Sequence, residues 1–209
     1  MATPIVITGA VEGIVDEVLL RKICSFAGTT LGQVYGTFGK QYIVARLAGY
    51  NNSARFRHWV VLLDLDQDAR CAPDILPHWL PAPAPLMRLR VAVRESEAWI
   101  LGDQERIAAF LGVPIRLIPA DPEFIPHPKR ELVNIAARSR RRAVREDMVP
   151  IPGGGQQIGP AYTSRLVEFI TNADAGWRPE IAANSCDSLR RCIDAISDLS
   201  NQGFPTRPA

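Results

Sequence analysis

The segment WVVLLDLDQD, residues 59–68, constrains the fold more than any other part of the chain. Its apolar run is typical of a strand buried on both faces, as the strands of parallel sheets are. Three aspartates, Asp64, Asp66 and Asp68, follow at alternate positions. Alternate side chains of an extended chain point the same way, so these like charges repel one another unless a positive charge lies between them.

Strand and helix patterns alternate along the first half of the chain. PIVITGA, LGQVYGTFG, WVVLLD and LMRLRVAVRE have the composition of strands. An apolar stripe at helical spacing begins at Ile14 and ends near Gly28, KQYIVARLAGYNN predicts a short helix, and SEAWILGDQERIAAFLG predicts a helix that closes at Gly112. Prolines interrupt residues 74–85, which we therefore predict as a loop. This order predicts an α/β fold, a mostly parallel sheet flanked by helices.

The second half of the chain predicts helices without further strands. A basic helix over about 129–147 is followed by the glycine-rich segment VPIPGGGQQIGP and by helices at 161–173 and about 187–200. The glycine-rich segment lacks the GK[ST] ending of a P-loop, so we interpret it as a connector. We therefore expect an α/β metal-binding domain over 1–112 and a C-terminal helical extension over 113–209.

Composition narrows the class of protein. An apolar content of 47% and a charged content of 22% are those of an ordinary globular protein. The four cysteines, Cys24, Cys71, Cys186 and Cys192, form no CxxC pair, and we expect reduced thiols in the core. The opening residues do not resemble a signal peptide and no run of about 18 apolar residues exists, so we expect a cytoplasmic protein with no membrane span.

A second acidic element is Glu12, which follows the first strand directly. It is expected at the carboxyl edge of the sheet, together with Asp64 and Asp66, where ligands of open parallel sheets bind. A hard cation such as Mg²⁺ would relieve the repulsion. Asp16 lies one helical turn beyond Glu12, and either joins such a site or complements the helix N-terminus. Alternatively, the aspartates after the strand begin a solvated turn.

Other chemistries that use DxD motifs fit less well. An EF-hand loop starting at Asp64 requires glycine at its sixth position and glutamate at its twelfth, where this chain has Ala69 and Ile75. A nucleotide-sugar transferase also carries DxD after a strand, but that reading leaves Glu12 unexplained.

A strand ending in Glu-Gly, followed by a helix and then by an apolar strand ending in Asp-x-Asp, resembles the Toprim domain of topoisomerases, bacterial primases and OLD-type nucleases. RVAVRESEAWILGD, IGPAYTSRLVEF and CDSLRRCIDAI look closer still to a bacterial Toprim-like family without an assigned function, often encoded beside an AAA-type ATPase. The resemblance to the Toprim domain covers roughly residues 3–112, and the likeness to this subgroup covers nearly the whole chain.

The resemblance implies phosphodiester chemistry with Mg²⁺ or Mn²⁺. Glu12, Asp64 and Asp66 match its catalytic carboxylates. The metal ligands it implies are Glu12, Asp16, Asp64, Asp66 and Glu97, with Asp68 and Glu95 as further candidates. Glu95 and Glu97 instead cap a helix in the alternative interpretation. Nuclease members tend to carry a lysine near the scissile phosphate. The sequence alone does not assign that role to Lys22, Lys40 or Lys129, and Arg94 is a candidate substitute by its location.

Residues 128–147 carry seven basic and three acidic residues, which accounts for all of the chain's positive excess. An arginine stripe at helical spacing could bind nucleic-acid phosphates, dock an acidic partner or remain a solvated surface. Its candidate residues are Arg138, Arg141, Arg142 and Arg145, with Arg140 beside them.

These observations lead to one principal hypothesis and two alternatives. The principal hypothesis is a metal-dependent nuclease or a related phosphodiester-acting protein that acts on nucleic acid, with DNA as the expected substrate. The resemblance to the family further implies a role as the effector of a phage-defence pair with an ATPase. The first alternative is a noncatalytic Toprim-like subunit that binds nucleic acid or a partner protein. The second is primase-like nucleotidyl transfer.

Overall fold

The structure is a computed structural model that describes residues 5–201, with only the backbone of Asn201. Its strands form one parallel sheet of order β2-β1-β3-β4. The strands are β1 Val6–Val11, β2 Thr30–Gly36, β3 Trp59–Asp64 and β4 Met87–Ala92. Helices flank the sheet and a helix closes the described chain, which confirms the predicted α/β class.

The α-helices within the described residues connect the strands and make up most of the second half. They are α1 Ile14–Phe26, α2 Lys40–Val44, α3 Leu47–Ser53, α4 Ala72–Trp79, α5 Glu97–Gly102, α6 Gln104–Leu111, α7 Pro128–Ala136, α8 Arg142–Met148, α9 Tyr162–Thr171, α10 Pro179–Ala182 and α11 Asp187–Asn201. None of these described helices is long and apolar enough to cross a membrane.

The register of the sheet aligns the ends of its strands. Val11, the last residue of β1, is paired with Gly36 of β2 on one side and with Leu62 of β3 on the other. The residues that follow β1, β2 and β3 therefore leave the sheet at one common edge. Gly36 has φ of 104°, and a Cβ atom there would lie 2.2 Å from the Val11 carbonyl oxygen, so the exit from β2 requires glycine.

The chain forms two compact units, one of residues 5–92 with 191–201 and the other of residues 93–190. Residues 93–112, which we assigned to the first segment from sequence, belong to the second unit. In the first unit, one face of the sheet packs against α2, α3 and α4 around the buried Ile43, Leu47 and Val61. In the second unit, Trp99 and Trp177 are fully buried, and the Trp177 indole donates to the Trp99 carbonyl oxygen at 2.9 Å.

One loop prediction and two helix predictions were wrong in their boundaries. Residues 74–85 are not all loop, because α4 occupies Ala72–Trp79. Its Pro73 lies in the first turn, where proline is tolerated, and Leu76, Trp79 and Leu80 pack against the core. The helix predicted up to Gly112 breaks at Asp103, whose side chain caps α6 by accepting from the Arg106 backbone N–H.

The predicted basic helix over 129–147 is two helices, α7 and α8, separated at Ser139. The Ser139 hydroxyl donates to the Leu111 carbonyl oxygen at 2.5 Å and accepts from the Arg141 N–H at 3.0 Å. A serine engaged with two backbone groups in this way offers the chain an alternative to helical hydrogen bonds. The arginines therefore do not form one continuous stripe.

The four cysteines are free, and Cys24, Cys186 and Cys192 are buried as predicted. Cys71 is exposed, so its placement in the core was wrong. It precedes α4 directly, and α4 itself contains no buried residue. Burial raises the pKa of Cys24 to about 11 and that of Cys192 to about 12, so both thiols remain protonated near neutral pH.

A carboxylate and lysine site at the carboxyl edge of the sheet

Two neighbouring strand ends bring Glu12 and Asp64 into contact. Glu12 follows β1, Asp64 ends β3, and the two strands are adjacent and parallel. The Asp64 backbone N–H donates to Glu12 Oε1 at 2.8 Å although the residues are 52 positions apart in the sequence. The predicted convergence of these two positions at one sheet edge is therefore present in the structure.

The positive charge that the aspartates require comes from Lys40. Its Nζ donates to Asp66 Oδ2 at 2.5 Å and to Asp68 Oδ2 at 2.7 Å, and the lysine side chain is only 15% exposed. Burial opposes the charged form of Lys40, but the hydrogen bonds to Asp66 and Asp68 outweigh it and raise its pKa. Lys40 thus occupies a place between the aspartates that a metal ion would otherwise be expected to take.

Lys40 is positioned by the loop that follows β2. The Thr37 N–H donates to the Val11 carbonyl oxygen at 2.9 Å, and the Gly39 N–H donates to the Glu12 carbonyl oxygen at 3.3 Å. These bonds hold the loop against the end of β1, so that Lys40, the first residue of α2, enters the same edge. No local motif marks Lys40 in the sequence, but its position just after a strand of a parallel sheet is the signal that would have identified it.

Glu12 has an unusual proton affinity. Burial raises its pKa from 4.5 to about 7, against the opposing effects of the Asp64 N–H and Lys40, while the negative charges of Asp16 and Asp66 raise it further. Burial is the largest cause of this shift, and a cation bound beside the desolvated carboxylate would lower the pKa of Glu12.

Asp16 is buried and caps the helix that follows Glu12. Its Oδ2 accepts from the Gly13 backbone N–H at 3.0 Å, which caps the N-terminus of α1. Its charge contributes to the raised pKa of Glu12. The bond from the Gly13 N–H supports the interpretation of Asp16 as a helix cap, and a metal-binding role for Asp16 stays a prediction.

Within residues 5–201, no three His, Cys, Asp or Glu side chains form a group arranged to hold a metal ion. In the acidic edge, Asp66 and Asp68 turn to Lys40, while Glu12 receives the Asp64 N–H. Carboxylate oxygens are the ligands that Mg²⁺ and Mn²⁺ prefer, so the donor atoms suit these ions. The side chains of Asp66 and Asp68, however, are arranged around Lys40 and not around a metal site.

Glu95 and Glu97 lie in the second unit, where Lys129 engages both. The Lys129 N–H donates to Glu95 Oε2 at 2.7 Å, and Lys129 Nζ lies 3.4 Å from Glu97 Oε1. Glu97, 3% exposed, also accepts from the buried Tyr162 hydroxyl at 3.3 Å. Glu97 begins α5 as expected, and Glu95 meets the first turn of α7. A metal-binding role for either remains a prediction.

The candidate phosphate-binding arginines are largely engaged with the protein itself. Arg142 pairs with Glu146 at 2.8 Å, Arg141 donates to the Phe110 carbonyl oxygen at 3.1 Å, and Arg145 donates to the Ser139 carbonyl oxygen at 2.5 Å. Arg138 and Arg140 are exposed. Arg94 lies in the second unit with φ of 64°. The lysine at the acidic edge is Lys40, and a role for Arg94 near a scissile phosphate stays a prediction.

Comparisons of the chain with protein-family models, with curated proteins and with solved structures give no match.

Proposed function

We propose that this chain is a Toprim-like protein that hydrolyses phosphodiester bonds of nucleic acid with Mg²⁺ or Mn²⁺. The observation that carries the proposal is the contact between Glu12 and the end of β3, in an environment that raises the pKa of Glu12 to about 7. A general acid or base works best when its pKa lies near the operating pH. In the protein without a bound ion, Glu12 therefore has a position at the sheet edge and a pKa that suit a general acid or base.

Each residue of the edge has a chemical part in this proposal. A divalent ion held by Asp64 and Asp66 would activate water and stabilise the leaving oxygen. Glu12 would either help to hold that ion or accept and return a proton at its carboxylate. Lys40 would donate a hydrogen bond to a phosphate oxygen, since its ammonium group already lies among the carboxylates with a raised pKa. Asp16 would keep the Glu12-Gly13 turn in place through its bond to the Gly13 N–H.

The test is cleavage of labelled single-stranded and duplex DNA and RNA with Mg²⁺ or Mn²⁺. Glu12→Gln keeps the shape of the side chain and should abolish cleavage while nucleic-acid binding persists. Glu17→Gln is the matched control, because Glu17 lies in the first turn of α1, which follows Glu12, but pairs with Arg21 at 2.7 Å. Equal cleavage by the Glu12→Gln variant and the wild-type protein would overturn the proposal, as would cleavage that does not depend on a divalent ion.

A noncatalytic Toprim-like subunit that binds nucleic acid or a partner protein is the second candidate function. The observation that favours it is the ion pair of Lys40 with both Asp66 and Asp68, which neutralises these carboxylates without a metal. This function predicts binding without cleavage, whether or not a partner is present. An AAA-type ATPase partner and a role in phage defence belong to the same proposals and rest on the family resemblance alone.

A further inference from the structure

The exposed Phe38 ring and the half-buried Tyr42 ring, whose planes are tilted by 51°, lie with one guanidinium group beside the carboxylate edge. The Phe38 and Tyr42 ring centroids are 5.0 Å apart, and the Arg46 guanidinium lies 3.5 Å from the centroid of the Tyr42 ring. Phe38 is 74% exposed, although it is one of the larger apolar side chains of the chain. We call Phe38, Tyr42 and Arg46 the aromatic stack.

Packing and hydrogen bonds with the rest of the first unit fix the position of the aromatic stack. Tyr42 packs against the hydrophobic core of the first unit, and the Arg46 guanidinium donates to the Tyr42 carbonyl oxygen at 3.2 Å. Phe38 lies between Thr37 and Gly39, whose N–H groups bond to the end of β1. The exposure of the Phe38 ring is therefore a consequence of a fixed loop.

The loop that contains Phe38 has a strained backbone conformation at Thr37. Thr37 has φ of 65°, which a β-branched residue rarely adopts and which costs about 1–3 kcal/mol. Gly36 and Gly39 on either side also have positive φ values. Such strain is characteristic of functional segments, and here its effect is to hold an apolar ring in solvent beside Lys40. Two extended residues span about 7 Å, so the Phe38 and Lys40 Cα atoms lie within that distance.

We propose that the aromatic stack binds unpaired bases of a single-stranded nucleic acid whose backbone crosses the carboxylate edge. This inference rests on the proposed function for the position of the scissile phosphate and goes beyond it in naming the substrate class. Exposed aromatic rings, together with arginine, stack on the faces of bases without regard to sequence. In a duplex these faces are covered by neighbouring base pairs, so only an unpaired base can lie on Phe38.

The charges near the stack complement a nucleic-acid strand. Lys40 lies on α2 together with Tyr42, and Arg46, two residues after the end of α2, supplies a second positive charge. The carboxylates beside Lys40 repel phosphate unless a cation is bound, so binding of the strand should strengthen with a divalent ion. The basic segment of residues 128–147 carries no aromatic residue and so offers phosphate contacts alone.

The experiment measures the binding of a fluorescently labelled oligothymidylate, an oligouridylate and a blunt DNA duplex by the full-length chain. It uses Ca²⁺ in place of Mg²⁺ so that the probe is not consumed, and EDTA in a parallel series. Phe38→Ala should weaken binding of single strands by about 5- to 150-fold and leave duplex binding unchanged. Phe38→Trp should restore the affinity, and Arg46→Ala should weaken it less than Phe38→Ala does. The DNA and RNA arms show which single strand is preferred.

Phe124→Ala is the matched control, because Phe124 is 88% exposed but lies in the second unit near Asp121 and Glu123. Unchanged single-strand affinity in Phe38→Ala would overturn the inference, and so would an equal loss of duplex affinity. Failure of the proposed function is a separate result. If the protein cleaves nothing but its single-strand affinity depends on Phe38, the aromatic stack is the binding surface of a noncatalytic protein. If the protein cleaves nucleic acid but its affinity does not depend on Phe38, only the inference about the aromatic stack is refuted.

Discussion

Glu12 should make the metal-free protein less stable as the pH rises. Its pKa is 4.5 in its ordinary state and about 7 in the folded chain. Between these values the folded state binds more protons than the unfolded state, so the free energy of unfolding falls as the pH rises through this window. Above pH 7 Glu12 is a desolvated carboxylate in the folded protein, and the full loss in the free energy of unfolding is present.

The magnitude follows from the difference between the two pKa values. A separation of about 2.5 units corresponds to about 3 kcal/mol, and the partial access of solvent to Glu12 reduces the expected value to about 2 kcal/mol. Glu12→Gln removes the charge but keeps an oxygen that can accept from the Asp64 N–H. The variant should therefore be more stable than the wild-type protein by about 2 kcal/mol at pH 8.5 and nearly equal to it at pH 4.5.

Urea denaturation in EDTA at the two pH values measures this difference directly. Glu17→Gln is the control, since it removes a carboxylate that pairs with Arg21 near the surface and should change stability by less than about 1 kcal/mol at either pH. A Glu12→Gln variant that is less stable than the wild type at pH 8.5 would refute the reasoning. So would a stability difference that does not depend on pH.

The remaining predictions concern buried charge, the lysine and the arginines. Asp103→Ala should lower the free energy of unfolding, measured by urea denaturation, by about 3 kcal/mol, because Asp103 is fully buried and accepts two side-chain hydrogen bonds from Arg178. Glu105 is the exposed partner of the same arginine, so Glu105→Gln should lower it by less than about 1 kcal/mol. Similar losses in the two variants would contradict this. Lys40→Met should lower cleavage strongly and weaken single-strand affinity, while near-normal cleavage would exclude Lys40 from the chemistry. Arg138→Ala should reduce the slope of log affinity against log salt by about 1, and an unchanged slope would show that Arg138 contacts no phosphate.

The sheet and its edge could be predicted because the pattern of β3 is unambiguous. WVVLLD has the same bounds in sequence and structure, and the order of strands and helices defined a parallel sheet. Because parallel strands end at one edge, the proximity of Glu12 and Asp64 followed from topology alone. That reasoning needed no distance information.

The same topology could have placed Lys40 near this edge, because Lys40 follows β2, but it could not predict the ion pairs of Lys40 with Asp66 and Asp68. Its place depends on the loop bonds to Val11 and Glu12, which no periodicity records. The break between α7 and α8 is a similar case, since Ser139 interrupts the helix through a bond to Leu111, far along the chain. Local patterns predict elements well, but they do not contain such long-range partners.

The central claim is that the carboxylates at this edge hold a hard cation. The most direct measurement is a crystal structure of the protein soaked in Mn²⁺, read by anomalous difference density. A peak between Glu12 and Asp64, with Asp66 turned away from Lys40 and bound to the ion, is the result that we predict. If Lys40 retains both Asp66 and Asp68 and no peak lies beside Glu12, the account is contradicted.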